Sequence, residues 1–307
     1  MYEGEGIGLF RTEFKYMGRG DLPSEDELVN ALLEIPADME AIVRIADFGG
    51  DKMPHRIREA LGLSGASESG MMSLRGERLY LHSPEMAELQ AIQIRAILRA
   101  AEERPKLKMM FPMVAGLHTL RQIRRIIAAT REDLVAKRIS HAERIPVGIM
   151  VELPSTVRII DQLMPHIDFA SIGTNDLIQY TLAVDREAAS VARYYDPFHP
   201  AVLRQIDDVV RAGAKARKVV SVCGDMASDP MAVLVMMGMG IRTFSAIPGS
   251  IPNVKYMVLS VEMADSKRLT RKILRTIGDI GEAESYRDAV RRMIGDHFGA
   301  NIVGMVG

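Results

Sequence analysis

The chain has 307 residues, of which 48% are hydrophobic and 26% are charged, a composition typical of a folded globular protein. Its 39 Lys and Arg against 40 Asp and Glu give a formal net charge of -1, so the sequence has no electrostatic signature of nucleic-acid binding. The single cysteine, Cys223, excludes an intrachain disulfide and a zinc site built from several thiolates. Because no segment has the roughly 18 consecutive apolar residues of a membrane helix and the N-terminus does not resemble a signal peptide, we expect a cytoplasmic protein with no membrane partner.

Short apolar segments alternate with amphipathic segments along the chain. The apolar runs are mostly unbroken and rich in Val, Ile, Phe and Met, which is typical of parallel strands buried on both faces. The predicted strands are Gly6–Phe10, Ala41–Ala46, Met109–Val114, Val147–Val151, Phe169–Gly173, Val219–Cys223 and Arg242–Ala246. The predicted helices are one that begins with a capping box at Ser24 and Glu27, then Pro84–Arg104, Leu117–Val135, Ser155–Met164, Pro200–Lys215 and Asp229–Met239.

The repeated order of strand, loop and helix predicts a parallel α/β fold. The predicted strands are one fewer than a (β/α)8 TIM-type barrel needs, and an open doubly wound sheet is the alternative. The barrel is favoured because no Gly-x-Gly-x-x-Gly turn follows the first strand and because polar residues follow nearly every strand. We therefore predict one barrel domain over residues 1–307 that lacks its first strand, with strands and helices over 4–262 and a C-terminal helical part over 263–307.

Charged, amide and thiol side chains follow the predicted strands. They are Arg11, Arg44, Asp47, Glu152, Asn175, Asp176, Cys223 and Asp225. In a barrel these positions converge on the face where enzymes of this fold place their sites, although a surface salt bridge is a sufficient explanation for any one of them. Glu152 and Asp176 follow neighbouring strands, which lie about 4.8 Å apart, so the pair suits either Mg²⁺ or an acid/base dyad. The arginines nearby favour a metal and an anionic substrate.

Six motifs make the chain resemble a known family. They are Gly6-Ile-Gly-Leu-Phe-Arg-Thr-Glu-Phe14, Asp47-Phe-Gly-Gly-Asp-Lys52, Phe111-Pro-Met113, Gly148-Ile-Met-Val-Glu152, Ser171-Ile-Gly-Thr-Asn-Asp-Leu177 and Cys223-Gly-Asp-Met-Ala227. From Gly4 to near Phe298 they closely resemble, in order, the phosphoenolpyruvate-binding barrel of the phosphotransferase-system Enzyme I family. The details Tyr195-Asp-Pro-Phe-His-Pro200 and Ile251-Pro-Asn-Val-Lys255 resemble its nitrogen-related branch more than its sugar-transport branch.

The resemblance implies roles for particular residues. Those implied are Arg11, Arg44, Arg75, Arg186 and Asn175 for binding phosphoenolpyruvate (PEP), Glu152 and Asp176 for binding Mg²⁺, Lys52 near the phosphate or enolate, and Cys223 as proton donor and acceptor at the methylene carbon of enolpyruvate. The segment before Arg75 departs from the Asn-Pro-Phe-Leu-Gly-type run that is usual in the family, which makes Arg75 the least typical member of this set.

The resemblance also implies a function. The chain would be the PEP-binding and dimerising part of a PEP-protein phosphotransferase, which passes a phosphoryl group to a histidine on a separate domain and then to an HPr-like carrier protein, leaving pyruvate. We expect an incomplete enzyme, because the swivelling phosphohistidine domain is absent from this sequence and so is the family's first barrel strand, whose place a terminal segment or a second subunit is expected to cover. The alternatives are the C-terminal barrel of a pyruvate phosphate dikinase or PEP synthase-like enzyme, and a non-catalytic PEP-sensing module.

Overall fold

The computed structural model of the protein describes residues 4–16, 22–48, 55–60, 72, 74–281 and 284–299. The strands are β1 (Gly6–Arg11), β2 (Glu40–Arg44), β3 (Leu107–Phe111), β4 (Val147–Val151), β5 (Phe169–Gly173), β6 (Val219–Cys223) and β7 (Phe244–Ser245). They follow one another across one sheet in chain order, and the pairs β1 with β2, β2 with β3, β3 with β4 and β6 with β7 are parallel.

Helices connect the strands and complete the chain. They are α1 (Glu25–Leu33), α2 (His55–Ala60), α3 (Glu77–Tyr80), α4 (Pro84–Glu103), α5 (Leu117–Ala136), α6 (Pro154–Arg158), α7 (Ile160–Leu163), α8 (Thr174–Leu182), α9 (Pro200–Ala216), α10 (Pro230–Met239), α11 (Ile251–Ser260), α12 (Met263–Thr276) and α13 (Tyr286–Phe298). Across the described part of the chain, none of these helices is both long and apolar enough to cross a membrane.

This succession of strands and helices is that of a (β/α)8 TIM-type barrel with one strand fewer, followed by C-terminal helices. The predicted fold class is therefore confirmed. Unbroken apolar strands are explained by burial, since every residue of β5 and all but the first of β2 are buried. Within the described residues β1 and β7 are the end strands of the sheet, and the expected cover for the missing strand stays a prediction.

Element boundaries differ most from the sequence prediction in two places, and the other predicted bounds move by three residues or fewer. The helix predicted over Ser155–Met164 is two short helices, because Ile159 adopts φ -120° and ψ 20°, outside the helical region. The last predicted strand shortens to Phe244–Ser245. The capping box is confirmed, since the Glu27 backbone N–H donates to Ser24 Oγ over 3.2 Å and the Ser24 N–H donates to a Glu27 carboxylate oxygen over 2.7 Å.

The chain forms two compact units, which are described separately below. The N-terminal unit comprises Glu5–Met150 and His166–Phe169, and the C-terminal unit comprises Met1–Gly4, Val151–Pro165 and Ala170–Gly307. In the C-terminal unit, α12 is attached to α10 by two buried hydroxyls. Ser266 Oγ donates to the Leu234 carbonyl over 2.8 Å, and Thr270 Oγ1 donates to the Val235 carbonyl over 2.9 Å. The C-terminal helices are thus packed onto this unit's core.

Candidate functional site

In the N-terminal unit, two predicted site arginines lie side by side. Arg11 ends β1 and Arg44 ends β2, and the two are register partners across the parallel pair. The Arg11 guanidinium lies 5.9 Å from the centre of the Phe14 ring. The planar donor fork of a guanidinium group suits phosphate and carboxylate oxygens. The end of this strand pair is therefore a candidate anion site.

Arg44 is held in place by a buried carboxylate. Its Nη2 group forms an ion pair with Glu13, and the two side chains are only 8% and 2% exposed. Its Nη1 group donates to the sulfur of Met150 over 3.3 Å. A buried, charge-assisted contact of this kind restricts the guanidinium to one orientation. Sequence reasoning assigned no role to Glu13, although it lies in the Arg-Thr-Glu run that ends β1.

The backbone beyond Arg44 is clamped by neutral side chains. The Ala46 N–H donates to Gln93 Oε1 over 2.8 Å, and the Ala46 carbonyl accepts from the Tyr80 hydroxyl over 2.5 Å. Gln93 Nε2 in turn donates to the Tyr80 oxygen over 3.1 Å, and Thr12 Oγ1 donates to the Arg44 carbonyl over 2.8 Å. Both polar groups of Ala46 are thus fixed by partners from other elements, which holds the segment between Arg44 and the next charged residue.

That next residue, Asp47, anchors the third arginine of this unit. Arg75 Nε donates to Asp47 Oδ1 over 3.2 Å, and Arg75 Nη2 donates to Asp47 Oδ2 over 2.5 Å, so the contact is bidentate. The side chains of Arg75 and Asp47 are 14% and 3% exposed. The next residue must be glycine, because Gly76 has φ +55° and an added Cβ would lie 2.4 Å from Met113 Cβ. The structure therefore brings Arg75 into the same unit as Arg11 and Arg44, while the predicted Lys52 lies outside the described residues.

A buried carboxyl lies just after Arg75. Glu77 is 2% exposed, and both of its oxygens accept from Gln90 Nε2, over 2.9 and 3.1 Å. Burial raises the pKa of Glu77 to about 8, and the hydrogen bond from Gln90 only partly opposes this. Glu77 therefore keeps its proton at neutral pH, unlike a carboxylate that has an arginine beside it.

In the C-terminal unit, the predicted metal ligands follow two strands that are neighbours in the sheet. Glu152 follows β4 and is 1% exposed, and Asp176 lies in the first turn of α8, directly after β5. Gln179 Nε2 donates to Asp176 Oδ1 over 3.2 Å, and Gln179 Oε1 accepts the Arg186 N–H over 3.0 Å. Gln179, to which the sequence assigned no role, thus links a predicted metal ligand to the backbone of a predicted substrate-binding arginine.

The donor chemistry of Glu152 and Asp176 suits Mg²⁺. Within the described ranges no group of three or more His, Cys, Asp or Glu side chains forms a metal cluster. A hard divalent cation such as Mg²⁺ nevertheless needs only one or two carboxylates, because water and substrate oxygens complete its coordination shell. Carboxylate oxygens are hard ligands, so these two side chains fit that cation better than they fit zinc.

The turn after β6 is braced against the start of α8. Asn175 Oδ1 accepts the Asp225 N–H over 2.8 Å, and Thr174 Oγ1 donates to the Cys223 carbonyl over 2.9 Å. Between them Gly224 has φ +90°, and an added Cβ would lie 2.4 Å from Thr174 Oγ1 and 2.7 Å from Asn175 Oδ1. Only glycine permits both this backbone conformation and this close approach.

The two remaining predicted residues differ in exposure. Cys223 is 3% exposed, and its thiol donates to the Ile172 carbonyl over 3.5 Å. Arg186 forms an ion pair with Asp225 at 3.4 Å, with side chains 31% and 76% exposed. The C-terminal unit therefore holds a buried thiol, a pair of carboxylates and a loosely held arginine.

Comparison with known proteins identifies relatives for nearly the whole chain. Residues 2–263 match the family described as PEP-utilising enzyme, PEP-binding domain. The chain is 38% identical to the phosphoenolpyruvate-protein phosphotransferase of Geobacillus stearothermophilus, with 94% of this chain and 48% of that protein covered. It is 39% identical to the protein of that name from Bacillus subtilis (strain 168), covering 88% and 46%, and 36% identical to a multiphosphoryl transfer protein of Xanthomonas campestris pv. campestris, covering 88% and 31%. The chain spans about half the length of the phosphotransferases it matches.

Proposed function

The chain belongs to the family of PEP-utilising enzymes, as a PEP-binding domain, and from that premise we propose that it is the PEP-binding and dimerising part of a PEP-protein phosphotransferase. In the whole enzyme the phosphoryl group would pass from PEP to a histidine on a separate domain and then to an HPr-like carrier protein. The names of the relatives favour this function over that of a pyruvate phosphate dikinase or PEP synthase-like barrel.

One observation carries the proposal. Arg11 and Arg44 are register partners at the ends of β1 and β2, and Arg75 is anchored by Asp47 in the same unit. Phosphoryl transfer requires mainly the positioning of the phosphate and cationic compensation of its negative charge. These arginines supply both, since buried contacts restrict two of the three guanidinium groups before any substrate arrives.

The family resemblance also assigns roles to residues of the C-terminal unit. Glu152 and Asp176 would hold Mg²⁺, which when bound compensates negative charge on the substrate oxygens. Arg186 would bind the phosphate or carboxylate of PEP, and the Asn175 side chain would contact the phosphate, since its oxygen is oriented by the Asp225 N–H. Lys52 is proposed near the phosphate or enolate on the family resemblance alone.

Cys223 would act on carbon. When the phosphoryl group leaves PEP, the remaining enolate of pyruvate takes a proton from Sγ at its methylene carbon and becomes pyruvate, and the thiolate regains a proton from water. The reverse steps exchange the methyl protons of pyruvate. Cys223→Ala should therefore abolish deuterium exchange into pyruvate while PEP affinity stays within about twofold. Exchange at the wild-type rate would remove Cys223 from the mechanism.

The function is tested by calorimetric titration of the 307-residue chain with PEP in the presence of Mg²⁺. Arg11→Ala should weaken PEP binding at least about tenfold, because a charge-assisted contact to the substrate is lost. Arg121→Ala, an exposed arginine on α5, is the matched control and should change nothing. Absence of PEP binding to the unaltered chain, or equal losses in both variants, would contradict the proposal.

Two further measurements separate an enzyme part from a PEP sensor. A phosphohistidine domain and an HPr-like carrier supplied with the chain should become labelled from PEP, whereas a sensor would bind PEP without transfer. Mg²⁺ affinity should rise strongly in the presence of PEP, since two carboxylates leave most of the metal's shell to the substrate and water. Light scattering should give the mass of a homodimer.

A further inference from the structure

Tyr195 has a polar group that nothing in the proposed function uses. It lies in the loop between α8 and α9, immediately after Ala192–Tyr194, a short 3-10 helix. Its ring is partly exposed, but its hydroxyl oxygen is buried and lies within hydrogen-bonding reach of the Arg186 guanidinium, which can only donate, and no described residue accepts the hydroxyl hydrogen with acceptable geometry. Buried tyrosine hydroxyls normally find a partner, because leaving one unmatched costs free energy. The Tyr195 hydroxyl therefore needs an explanation.

The charges around this hydroxyl belong to the candidate site. The nearby groups are the guanidinium of Arg186 and the carboxylates of Asp225 and Asp176. Burial is the largest influence and raises the pKa of Tyr195 to about 12, so the hydroxyl keeps its proton at neutral pH. It is thus a hydrogen-bond donor next to the arginine that is proposed to bind the substrate.

Neither neighbouring carboxylate accepts this proton. Asp176 accepts from Gln179, and Asp225 lies 3.4 Å from Arg186 with a side chain 76% exposed. A neutral hydrogen-bond donor and a cation that lie next to each other can both bind an anionic oxygen. An oxygen bound by Arg186 would therefore satisfy the hydroxyl as well, and its binding would recover the cost of the buried donor.

We propose that Tyr195 is a substrate-binding residue whose hydroxyl donates to the anionic oxygen that Arg186 binds. The identity of that oxygen as one of PEP rests on the proposed function. The inference itself requires only a phosphate or carboxylate oxygen within reach of both side chains. Arg186 would attract such an oxygen by its positive charge, and the Tyr195 hydroxyl would add a directional hydrogen bond.

The test is Tyr195→Phe, which removes one oxygen atom. PEP affinity, measured by calorimetry with Mg²⁺, should fall roughly tenfold, the usual effect of losing one hydrogen bond to a charged group. The midpoint of thermal unfolding should stay the same or rise, because the variant loses a buried donor that has no partner in the free protein. Tyr194→Phe is the matched control, since the adjacent ring is 55% exposed, and it should leave PEP affinity unchanged.

A structural role for Tyr195 gives the opposite pattern. Tyr195→Phe would then unfold at a lower temperature and bind PEP as tightly as the unaltered chain, and this result would overturn the inference. Titrations with inorganic phosphate and with oxalate locate the contact, because only the fragment that occupies the Arg186 position should bind the variant more weakly. These titrations also test the inference if the chain fails to bind PEP. Unchanged affinity of the variant for both fragments would then overturn the inference, whereas the lack of PEP binding would contradict only the proposed function.

The partnership with Arg186 is tested by a double-mutant cycle. If both side chains bind the same oxygen, then the effects of Tyr195→Phe and Arg186→Lys on PEP affinity should not multiply, and the combined loss should be smaller than the product of the two single losses. Multiplicative effects would place the two side chains on different ligand atoms and would overturn the shared contact.

Discussion

The two units hold their arginines in different ways. In the N-terminal unit Arg44 and Arg75 are each paired with a carboxylate that is almost fully buried, Glu13 or Asp47. In the C-terminal unit, the carboxylate that pairs with Arg186 among the described residues is that of Asp225, at 3.4 Å, and it is 76% exposed. The fold therefore fixes the orientation of Arg44 and Arg75, whereas water competes with Asp225 for the Arg186 guanidinium.

This difference decides how readily each arginine can change its partner. A buried pair is costly to break, so Arg44 and Arg75 keep the orientation that the fold gives them. An exposed pair contributes little to stability, so Arg186 can leave Asp225 at small cost. Under the proposed function, a substrate oxygen would take the place of Asp225 beside Arg186.

The largest effect is expected when a buried pair is broken. Glu13→Ala leaves the Arg44 guanidinium without its buried carboxylate, and it should lower the free energy of unfolding by about 3–5 kcal/mol. Glu40→Ala is the control in the same unit, because Glu40 pairs with Lys108 at 2.6 Å but is 54% exposed, and it should cost less than about 1 kcal/mol. Urea unfolding of both variants checks this. Equal losses would show that burial does not distinguish these pairs.

A second buried carboxyl sharpens the same contrast, because Glu77 has an amide rather than a cation beside it. Its pKa rises from 4.5 to about 8 on folding, so the folded chain keeps a proton that the unfolded chain releases. Stability from this group is therefore complete below pH 4.5 and falls by about 1.4 kcal/mol for each pH unit up to about pH 8. Glu77→Gln should remove that slope, while Glu132→Gln, an exposed change on α5, should leave it. An unaltered slope in Glu77→Gln would contradict the prediction.

A smaller effect is expected in the C-terminal unit, where hydrogen bonds from uncharged side chains hold the turn after β6. Gly224→Ala forces a side chain into a φ of +90° and against Thr174 and Asn175, and it should cost about 1–3 kcal/mol in unfolding free energy. The matched change is Gly249→Ala, since an added Cβ there meets no atom within 4 Å among the described residues. If Gly224→Ala were as stable as Gly249→Ala, then the turn after β6 would not depend on this close approach.

The sequence predicts most strands well because an unbroken apolar run indicates a strand that is buried on both faces. The run Phe169–Gly173 is buried at every residue, and the structure keeps the same bounds. The break at Ile159 could not be predicted, because the apolar spacing continues through it and only the backbone angles interrupt the helix. The two-residue β7 could not be predicted either, since strand pairing rather than composition sets its length.

The charged residues that follow the strands could be read from the sequence, but the side chains that hold them in place could not. Arg44 is visible because it follows a strand, whereas the groups that fix its backbone neighbour, Gln93 and Tyr80, lie in other elements far along the chain. Nothing in their local pattern distinguishes them from ordinary helix residues. Glu13 is different, because the sequence shows a charged residue directly after Arg11-Thr12 at the end of a predicted strand.

The smallest effect expected concerns the exposed pair itself. Asp225→Asn removes a carboxylate that competes with the substrate for Arg186, while the backbone N–H that Asn175 accepts is retained. The free energy of unfolding should change by less than about 0.5 kcal/mol, as for other exposed ion pairs. PEP should bind about two to three times more tightly, because Arg186 no longer has to leave a partner and one negative charge is gone from the site. Asp208→Asn, an exposed change on α9, controls for net charge alone. Weaker PEP binding in Asp225→Asn would mean that Asp225 positions Arg186 for the substrate, as Glu13 and Asp47 do for their arginines, and the two units would then work in the same way.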